Sequence, residues 1–149
     1  MASTVSKTTF TSKITETISI NKHHQQVETT LSIPNVTDYS HRIMSVATSK
    51  TTLVNLESSD AAGAFDSARL QYVRITNLDD TNSIQLSFVL TSSNHNYEVL
   101  LGPKKSHILT NKQGASSTTG ADAVLEDIAS IKGKSFTAAC DIEIFTVST

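Results

Sequence analysis

Hydrophobic and polar residues alternate with a period of two along much of this chain. The pattern is clear from residue 13 to residue 33, on both sides of the polar segment NKHHQQ. Alternation on both sides of a polar break predicts a half-buried antiparallel hairpin. We expect Pro34 to end it, because proline cannot donate to a strand ladder. Residues 1–12 are polar apart from Phe10, and we interpret them as an extended N-terminal arm, with a disordered tail as the alternative.

The next two apolar segments, RIMSVAT and TTLVNL, lie on either side of Ser49-Lys50. They predict a second strand pair, and because both faces are apolar we expect central strands. Residues 57–69 then break the pattern. Gly63 and the Ser/Asp cluster favour a loop there over an Ala-rich helix.

The stretch from Gln71 to Thr110 predicts two β-hairpins back to back. The first turns at Asp79-Asp80-Thr81-Asn82, and the second turns at Gly102-Pro103-Lys104-Lys105, where proline occupies a favoured turn site. The strand after the first turn places its apolar side chains on one face. We expect that face to be core, and it consists of Ile84, Leu86, Phe88 and Leu90.

The C-terminal third contains the one helical signal of the chain. Residues 111–121 are polar and predict a long loop. After them, Asp122 can cap a helix, a set of apolar residues falls on one helical face, and Gly133 suits a C-terminal position. These features predict a short helix over residues 122–132. The last strand follows in SFTAACDIEIFTVS, with Ile142 and Ile144 facing away from Phe145 and Val147.

This succession of short strands indicates an all-β fold. We expect eight or nine strands packed as an antiparallel two-sheet β-sandwich, with a jelly-roll-like arrangement as the first choice. A chain of 149 residues is long enough to bury its own core. We therefore assign residues 13–149 to a single β-sandwich domain.

Composition excludes several classes of partner. The formal net charge is −2 and the pI is about 6.2, so there is no basic field to attract nucleic acid or an anionic membrane. No segment approaches the roughly 20 apolar residues of a membrane-spanning helix. The first residues contain no apolar core of a signal peptide, which predicts synthesis in a cytoplasm. The single cysteine, Cys140, rules out an intrachain disulfide.

No arrangement of residues in the sequence predicts catalysis or metal binding. Adjacent residues on a strand face opposite sides, so His23-His24 is a poor chelate. The spacing of His95 and His107 lacks the clustered His-x-His of a cupin, and the remaining histidine is His41. Cys140 fits a small buried residue, and no Gly-x-Ser-x-Gly elbow exists. We expect a non-enzymatic protein with no catalytic, cofactor-binding or metal-binding residues.

Three further features of the sequence have a structural and a functional interpretation. The oxygen-rich segment 79–82 resembles a calcium ligand set, but it lacks the spaced ligands of a calcium loop and fits a turn better. Arg74 lies mid-strand and predicts a solvated face more than an interface. Sugar sites use aromatic platforms, and the chain has no Trp; Tyr39 is expected in a loop, and Tyr72 and Tyr97 are expected to pack.

One part of the chain resembles a known family. The segment GAFDSARLQYVRITNLDDTNSIQLSF resembles small β-sandwich structural proteins of tailed bacteriophages, notably cyanophage-like ones. The shared elements are Gly63-Ala64-Phe65, the strand from Tyr72 to Asn77 and the turn from Asp79 to Asn82. YEVLLGPKKSHIL is similar to the strand, turn and strand that follow in such proteins. Those relatives usually read Pro-Gly where this chain has Gly102-Pro103.

The resemblance implies a virion component, made in the host cytoplasm and located on the particle. We expect a capsid decoration, knob or cement protein that binds the major capsid protein or other virion proteins, most often as a homo-oligomer. The alternative is a tail- or fibre-associated module that binds a receptor or glycan through the loops 57–70 and 111–121. In either case the expected interaction surface lies on the N-terminal arm and the irregular loops.

Overall fold

Twelve β-strands make up the computed structural model, which describes residues 5–57, 63–91, 96–116 and 122–149. Within those ranges there is no helix, so the all-β prediction is confirmed. The strands are β1 (Thr8–Ile20), β2 (His23–Val36), β3 (Asp38–Val46), β4 (Thr51–Glu57), β5 (Phe65–Asp66), β6 (Leu70–Asn77), β7 (Ile84–Leu90), β8 (Asn96–Leu101), β9 (Ser106–Leu109), β10 (Gln113–Ser116), β11 (Val124–Ser135) and β12 (Cys140–Ser148).

Two antiparallel sheets form the sandwich. One has the strand order β3-β12-β6-β9, and the other has the order β4-β11-β7-β8, extended by the two-residue strand β5 beside β4 and by β10 beside β11. The chain passes from one sheet to the other after β3, β5, β6, β8, β9 and β11. Eight strands in this order make the two Greek keys of a jelly roll. Strands β1 and β2 form a separate two-stranded sheet.

The core lies between the two sheets. The predicted core face of β7 is confirmed, because all four of its apolar side chains are buried. They meet Ile75, Ile142 and Ile144 from the opposite sheet. Cys140 is buried in the same cluster, as expected for a small apolar residue. Ile142 and Ile144 face inward, while Phe145 and Val147 lie on the opposite face of β12, as the alternation predicted.

The predicted pair of back-to-back hairpins is wrong in its pairing, although its strands are present. The chain leaves β6 at the turn 79–82 and enters β7 in the other sheet, and it returns from β8 to β9 through the turn 102–105. The observed pairs are β6 with β9 and β7 with β8. Alternation and turn residues look the same whether a strand folds back beside its predecessor or crosses to the facing sheet. For the same reason, β3 and β4 do not pair, and β3 is an edge strand rather than a central one.

One buried side chain, Asn77, makes hydrogen bonds to both of the turns, 79–82 and 102–105, through which the chain crosses between the sheets. Asn77 is fully buried and its Nδ2 donates to the carbonyl oxygens of Asn82, Leu101 and Gly102, at 2.8, 3.3 and 3.2 Å. Its Oδ1 accepts the backbone N–H of Asp79 at 3.0 Å. Because a buried amide without partners is costly, this position requires a side chain that both donates and accepts.

The predicted helix over residues 122–132 is wrong, because Val124 to Ser135 form the long strand β11. A register shift between Ile128 and Ser130 marks a β-bulge where β11 pairs with β7. The extra residue lets Ile128 and Ile131 both face the core although they are three positions apart. Apolar residues on one face of a helix have the same spacing, and this explains why the sequence predicted a helix here.

The N-terminal region also departs from the expected boundaries. Strand β1 begins at Thr8, within the segment expected to be an extended arm, and β2 continues through Pro34 to Val36. The register changes between the pair Thr8–Val36 and the pair Phe10–Ile33, which leaves one extra residue on β2. Proline is tolerated at such a bulge, and Asn35 has a left-handed backbone there (φ 61°).

Removing a central ring should destabilise the sandwich. Phe88 is fully buried and stacks on Tyr97, with ring centroids 4.5 Å apart. We expect Phe88→Ala to lower the free energy of unfolding by about 3–5 kcal/mol, since it leaves a cavity in a packed core. Phe136→Ala is the control, because Phe136 is exposed and its loss should cost about 0.5 kcal/mol or less. Urea unfolding measures both, and equal losses would contradict this account of the core.

Candidate functional site

A long hairpin made of β1 and β2, here called the N-terminal hairpin, is the most exposed element of the structure. Its strands pair in an unbroken antiparallel register from Phe10–Ile33 to Ile20–His23. The turn consists of Asn21 and Lys22, which both have positive φ angles (52° and 69°). Two central residues with positive φ are typical of a type I′ turn, whose twist matches that of the strands on either side.

The two faces of the N-terminal hairpin differ in chemistry. Residues opposite each other in an antiparallel register share a face. One face carries nearly all of the apolar side chains of the hairpin, which run from its base to its turn: Phe10, Ile33, Leu31, Ile14, Val27, Ile18 and Ile20. The same face also carries the polar residues Ser12, Thr29, Glu16, Gln25 and His23. The other face carries only polar side chains: Thr11, Ser32, Lys13, Thr30, Thr15, Glu28, Thr17, Gln26, Ser19 and His24.

The base of the hairpin, defined as Phe10, Leu31, Ile33 and Val36, is packed on the sandwich. It joins a second apolar cluster on the outer face of the sheet β3-β12-β6-β9, with Tyr72 and Val147 at its centre. The Phe10 ring centroid lies 4.9 Å from that of Tyr72. A backbone hydrogen bond from Thr37 N to Ser148 O, at 3.1 Å, fixes the point where the hairpin joins β3.

The remainder of the hairpin, residues 13–28, is here called the projecting part. Every side chain in it is exposed, and the four apolar ones (Ile14, Ile18, Ile20 and Val27) keep 44% to 60% of their surface accessible. An isolated two-stranded hairpin is at best marginally stable in water. Apolar side chains aligned on one face of such a ribbon form a surface suited to contact with protein.

The outer sheet face beside the hairpin base carries an ion-pair network. Arg74 on β6 donates from Nη1 and Nη2 to the two carboxylate oxygens of Glu143 on β12, both at 3.2 Å. His41 Nε2 lies 2.7 Å from Glu143 Oε1. Hydrogen bonds from Arg74 and then from His41 lower the pKa of Glu143. The ionised carboxylate of Glu143 therefore links β12 to β3 and to β6 on the outer face of the sheet.

The structure thus places Arg74 in an ion pair on a partly exposed sheet face. The sequence alone could not show that Arg74 has this partner. Ile43 and Tyr39 lie on the same outer face, and both are largely exposed. Tyr39 is therefore a strand residue and not the loop residue that was expected. Tyr72 and Tyr97 pack as predicted, the first buried at the hairpin base and the second against Phe88.

The described histidines lie on three different strands, with His23 and His24 on β2, His41 on β3 and His107 on β9. The polar segment NKHHQQ was expected to be the turn, but His23 and His24 already belong to β2, where they lie on opposite faces of the hairpin. His107 packs beside Phe88, and its burial lowers its pKa. His95 lies outside the described residues. Among the residues that the structure describes, no three His, Cys, Asp or Glu side chains are grouped so that they could hold a metal ion.

The segment 79–82 is a turn built on one carboxylate. Asp79 Oδ1 accepts the backbone N–H groups of Thr81 and Asn82, at 2.8 and 2.6 Å. These hydrogen bonds lower the pKa of Asp79 to about 2. The prediction that these residues form a turn is confirmed. Asp80, its neighbour, instead makes an exposed ion pair with Lys104 at 2.8 Å.

A shallow groove of about 610 Å³ lies near the two loops 57–70 and 111–121. Its lining includes the amide side chains of Gln71, Asn111 and Gln113, together with Leu70 and Leu125. Residues 58–62 and 117–121 of those loops lie outside the described residues. The described part of this region therefore offers hydrogen-bonding groups beside two apolar side chains.

Comparison of the chain with protein-family models, with curated proteins and with solved structures gave no match in any of the three. Across the described ranges, no helix is long and apolar enough to cross a bilayer. Alternation in the sequence correctly predicted the hairpin and indicated that it is half-buried. In the structure the sandwich covers only the base of the hairpin, and the projecting part is exposed.

We expect Phe10→Ala to loosen the hairpin and leave the sandwich intact. Loss of the ring removes its contacts with Tyr72 and Phe145, worth about 1–2 kcal/mol for a half-buried aromatic side chain. Amides of residues 8–36 should then exchange with deuterium about tenfold faster, since local opening governs exchange. Thr11→Ala on the polar face is the control. If exchange in β7 and β11 rises equally, the hairpin is not a separate unit.

We expect the Asp79 turn to make the free energy of unfolding depend on pH over a defined range. The pKa of Asp79 is lowered in the folded state, so its contribution is present above its ordinary value of 3.8 and is lost as pH falls towards about 2. We expect Asp79→Ala to destabilise the protein at neutral pH, with the difference from the natural chain shrinking over that range. Asp80→Ala should have little effect, because exposed ion pairs contribute little. Urea unfolding at a series of pH values measures this, and a difference that does not depend on pH would contradict it.

Proposed function

We propose that this chain is a non-enzymatic structural protein of a virion, most specifically a capsid decoration or cement protein that binds the major capsid shell of a tailed phage. The observation that carries the proposal is the projecting part of the N-terminal hairpin. It presents exposed apolar side chains to solvent, while the sandwich holds the base firmly. Such an arrangement suits attachment of a small domain to a larger protein surface.

Two further features support this function. Jelly rolls are common in viral capsid proteins, although the fold also serves lectins and cupins, so it supports the class and does not select it. The segments 63–88 and 97–109 resemble structural proteins of tailed phages, and they supply β5 to β9 of the sandwich. On this proposal the protein is made in the host cytoplasm and resides on the particle, with other virion proteins as its partners.

A second candidate is a tail- or fibre-associated module that binds a receptor or a glycan. The groove beside the loops 57–70 and 111–121 favours it, because amide side chains such as Gln71 and Gln113 can pair with sugar hydroxyls. The described residues that line this groove include no aromatic side chain on which a sugar ring could stack. We therefore rank this candidate second.

Quantitative mass spectrometry of purified particles tests the proposal. We expect the protein in intact virions at a copy number comparable with that of the major capsid protein, because a decoration protein occupies symmetry-related shell sites. A copy number close to that of the tail proteins would favour the second candidate instead. Absence of the protein from intact virions would reject both.

A further inference from the structure

We propose that an extended, uncharged segment of the virion protein beneath this chain adds a strand to the free edge of β3. The added strand continues the sheet β3-β12-β6-β9 by one strand, beside the base of the N-terminal hairpin. This strand addition rests on the proposed function and names the backbone contact through which the domain is held on the particle.

Strand β3 offers the longest free edge of the sandwich among the residues that the structure describes. It has nine residues, whereas the outer strands β5, β8, β9 and β10 have two, six, four and four. Its register with β12 is unbroken from Asp38 to Val46, and no described strand pairs with its other side. A long and regular edge of this kind can accept another strand.

The chemistry of this edge selects a peptide backbone as the occupant. Alternate N–H and C=O groups of an edge strand point away from its neighbour, at the spacing that another strand matches. Edge strands are commonly protected by proline, lysine or a bulge, and the β3 sequence DYSHRIMSV has none of these. Its one inward charge, Arg42, donates to the carbonyl oxygen of Leu53 in the facing sheet and is thereby directed away from the edge.

The outer face beside this edge is apolar where an added strand would contact it. Tyr39 and Ile43 lie four residues apart on this face and are 69% and 63% exposed. The ring of Tyr39 lies 6.3 Å from that of Phe145, so the apolar cluster at the hairpin base extends to the edge. Facing residues of paired strands lie about 4.5–5.5 Å apart. Apolar side chains four residues apart on the added strand would therefore cover both Tyr39 and Ile43.

Charges on the outer face near this edge pair with each other, which favours an uncharged partner. Glu143 accepts hydrogen bonds from Arg74 at 3.2 Å and lies 2.7 Å from the Nε2 atom of His41. His41 is the residue between Tyr39 and Ile43 on the outer face of β3. A charged side chain on the added strand would compete with these existing contacts, whereas an apolar one leaves them intact.

Strand β1 of the N-terminal hairpin is the alternative acceptor of a strand, because its edge is also free of proline and bulges from Phe10 to Ile20. It belongs to a ribbon of two strands, which is at best marginally stable in water. Strand β3 belongs to a four-stranded sheet packed on the core. A preformed edge loses less conformational entropy on binding, so β3 is the better acceptor.

Hydrogen–deuterium exchange of the full chain tests the proposal. The two states compared are the purified chain and the same chain bound to purified particles that lack it. We expect the outward N–H groups of residues 38–46 to exchange about tenfold more slowly on the particle, because they acquire hydrogen-bond partners. Residues 96–101 form β8, an outer strand of the other sheet, and their exchange should not change.

Side-chain variants test the outer face of the same edge. We expect Ile43→Lys to weaken binding to these particles about tenfold or more, because a lysine facing apolar side chains is desolvated without a partner. Leu100→Lys is the matched control, since Leu100 is similarly exposed, at 67%, on β8. Circular dichroism of each variant shows whether the sandwich is folded, and Ile43→Ser replaces the lysine variant if it is not.

Unchanged exchange at residues 38–46 in the bound chain would overturn the proposal. Protection confined to β1 and β2 would overturn it in favour of the hairpin. Equal binding of Ile43→Lys and Leu100→Lys would also count against it, because the outer face would then be unused. A natural chain that does not bind the particles would instead reject the proposed function, so the two failures are distinguishable.

Discussion

A two-stranded β-hairpin cannot bury its own apolar face. In a sandwich each sheet covers the other, but a ribbon of two strands has no second layer unless another element supplies one. The N-terminal hairpin obtains that layer from the sheet β3-β12-β6-β9 at its base and has none along its projecting part. This constraint makes the uncovered apolar side chains of the projecting part a surface for protein contact.

The sandwich holds the base of the hairpin in a fixed position. Only Thr37 separates β2 from β3, and its N–H bonds to the last strand of the domain. Phe10 packs between Tyr72 and Phe145, so the hairpin is held by side chains as well as by the chain connection. Asn77 in turn fixes the crossings between the two sheets. A hairpin held in this way keeps its direction, which lowers the entropy cost of binding.

Much of the fold could be predicted from alternation alone, and the errors have one physical origin. Period two reveals a strand and its buried face, as for Phe88, but it does not specify which strand pairs with which. The turns at Asp79 and at Gly102 therefore looked like hairpin turns although they cross between sheets. The bulge beside Ile128 made a strand resemble a helix in the sequence, because an extra residue changes the local spacing of the buried side chains.

Only part of the candidate site could be predicted from the sequence. Alternation identified the hairpin, and its polar turn was visible in Asn21 and Lys22. Whether Ile18 is covered depends on how far the sandwich extends beneath the ribbon, and that is a property of the three-dimensional arrangement. The pairing of Arg74 with Glu143 likewise joins residues far apart in the chain, which no local pattern encodes.

The central claim is that the apolar face of the projecting part is covered in the assembled protein. Thiol labelling of an Ile18→Cys variant tests it most directly, with Thr17→Cys as the reference, because the natural Cys140 is buried and should not react. In the assembled protein the account predicts that the thiol at position 18 is protected and the thiol at position 17 is labelled. Equal labelling at both positions would contradict it.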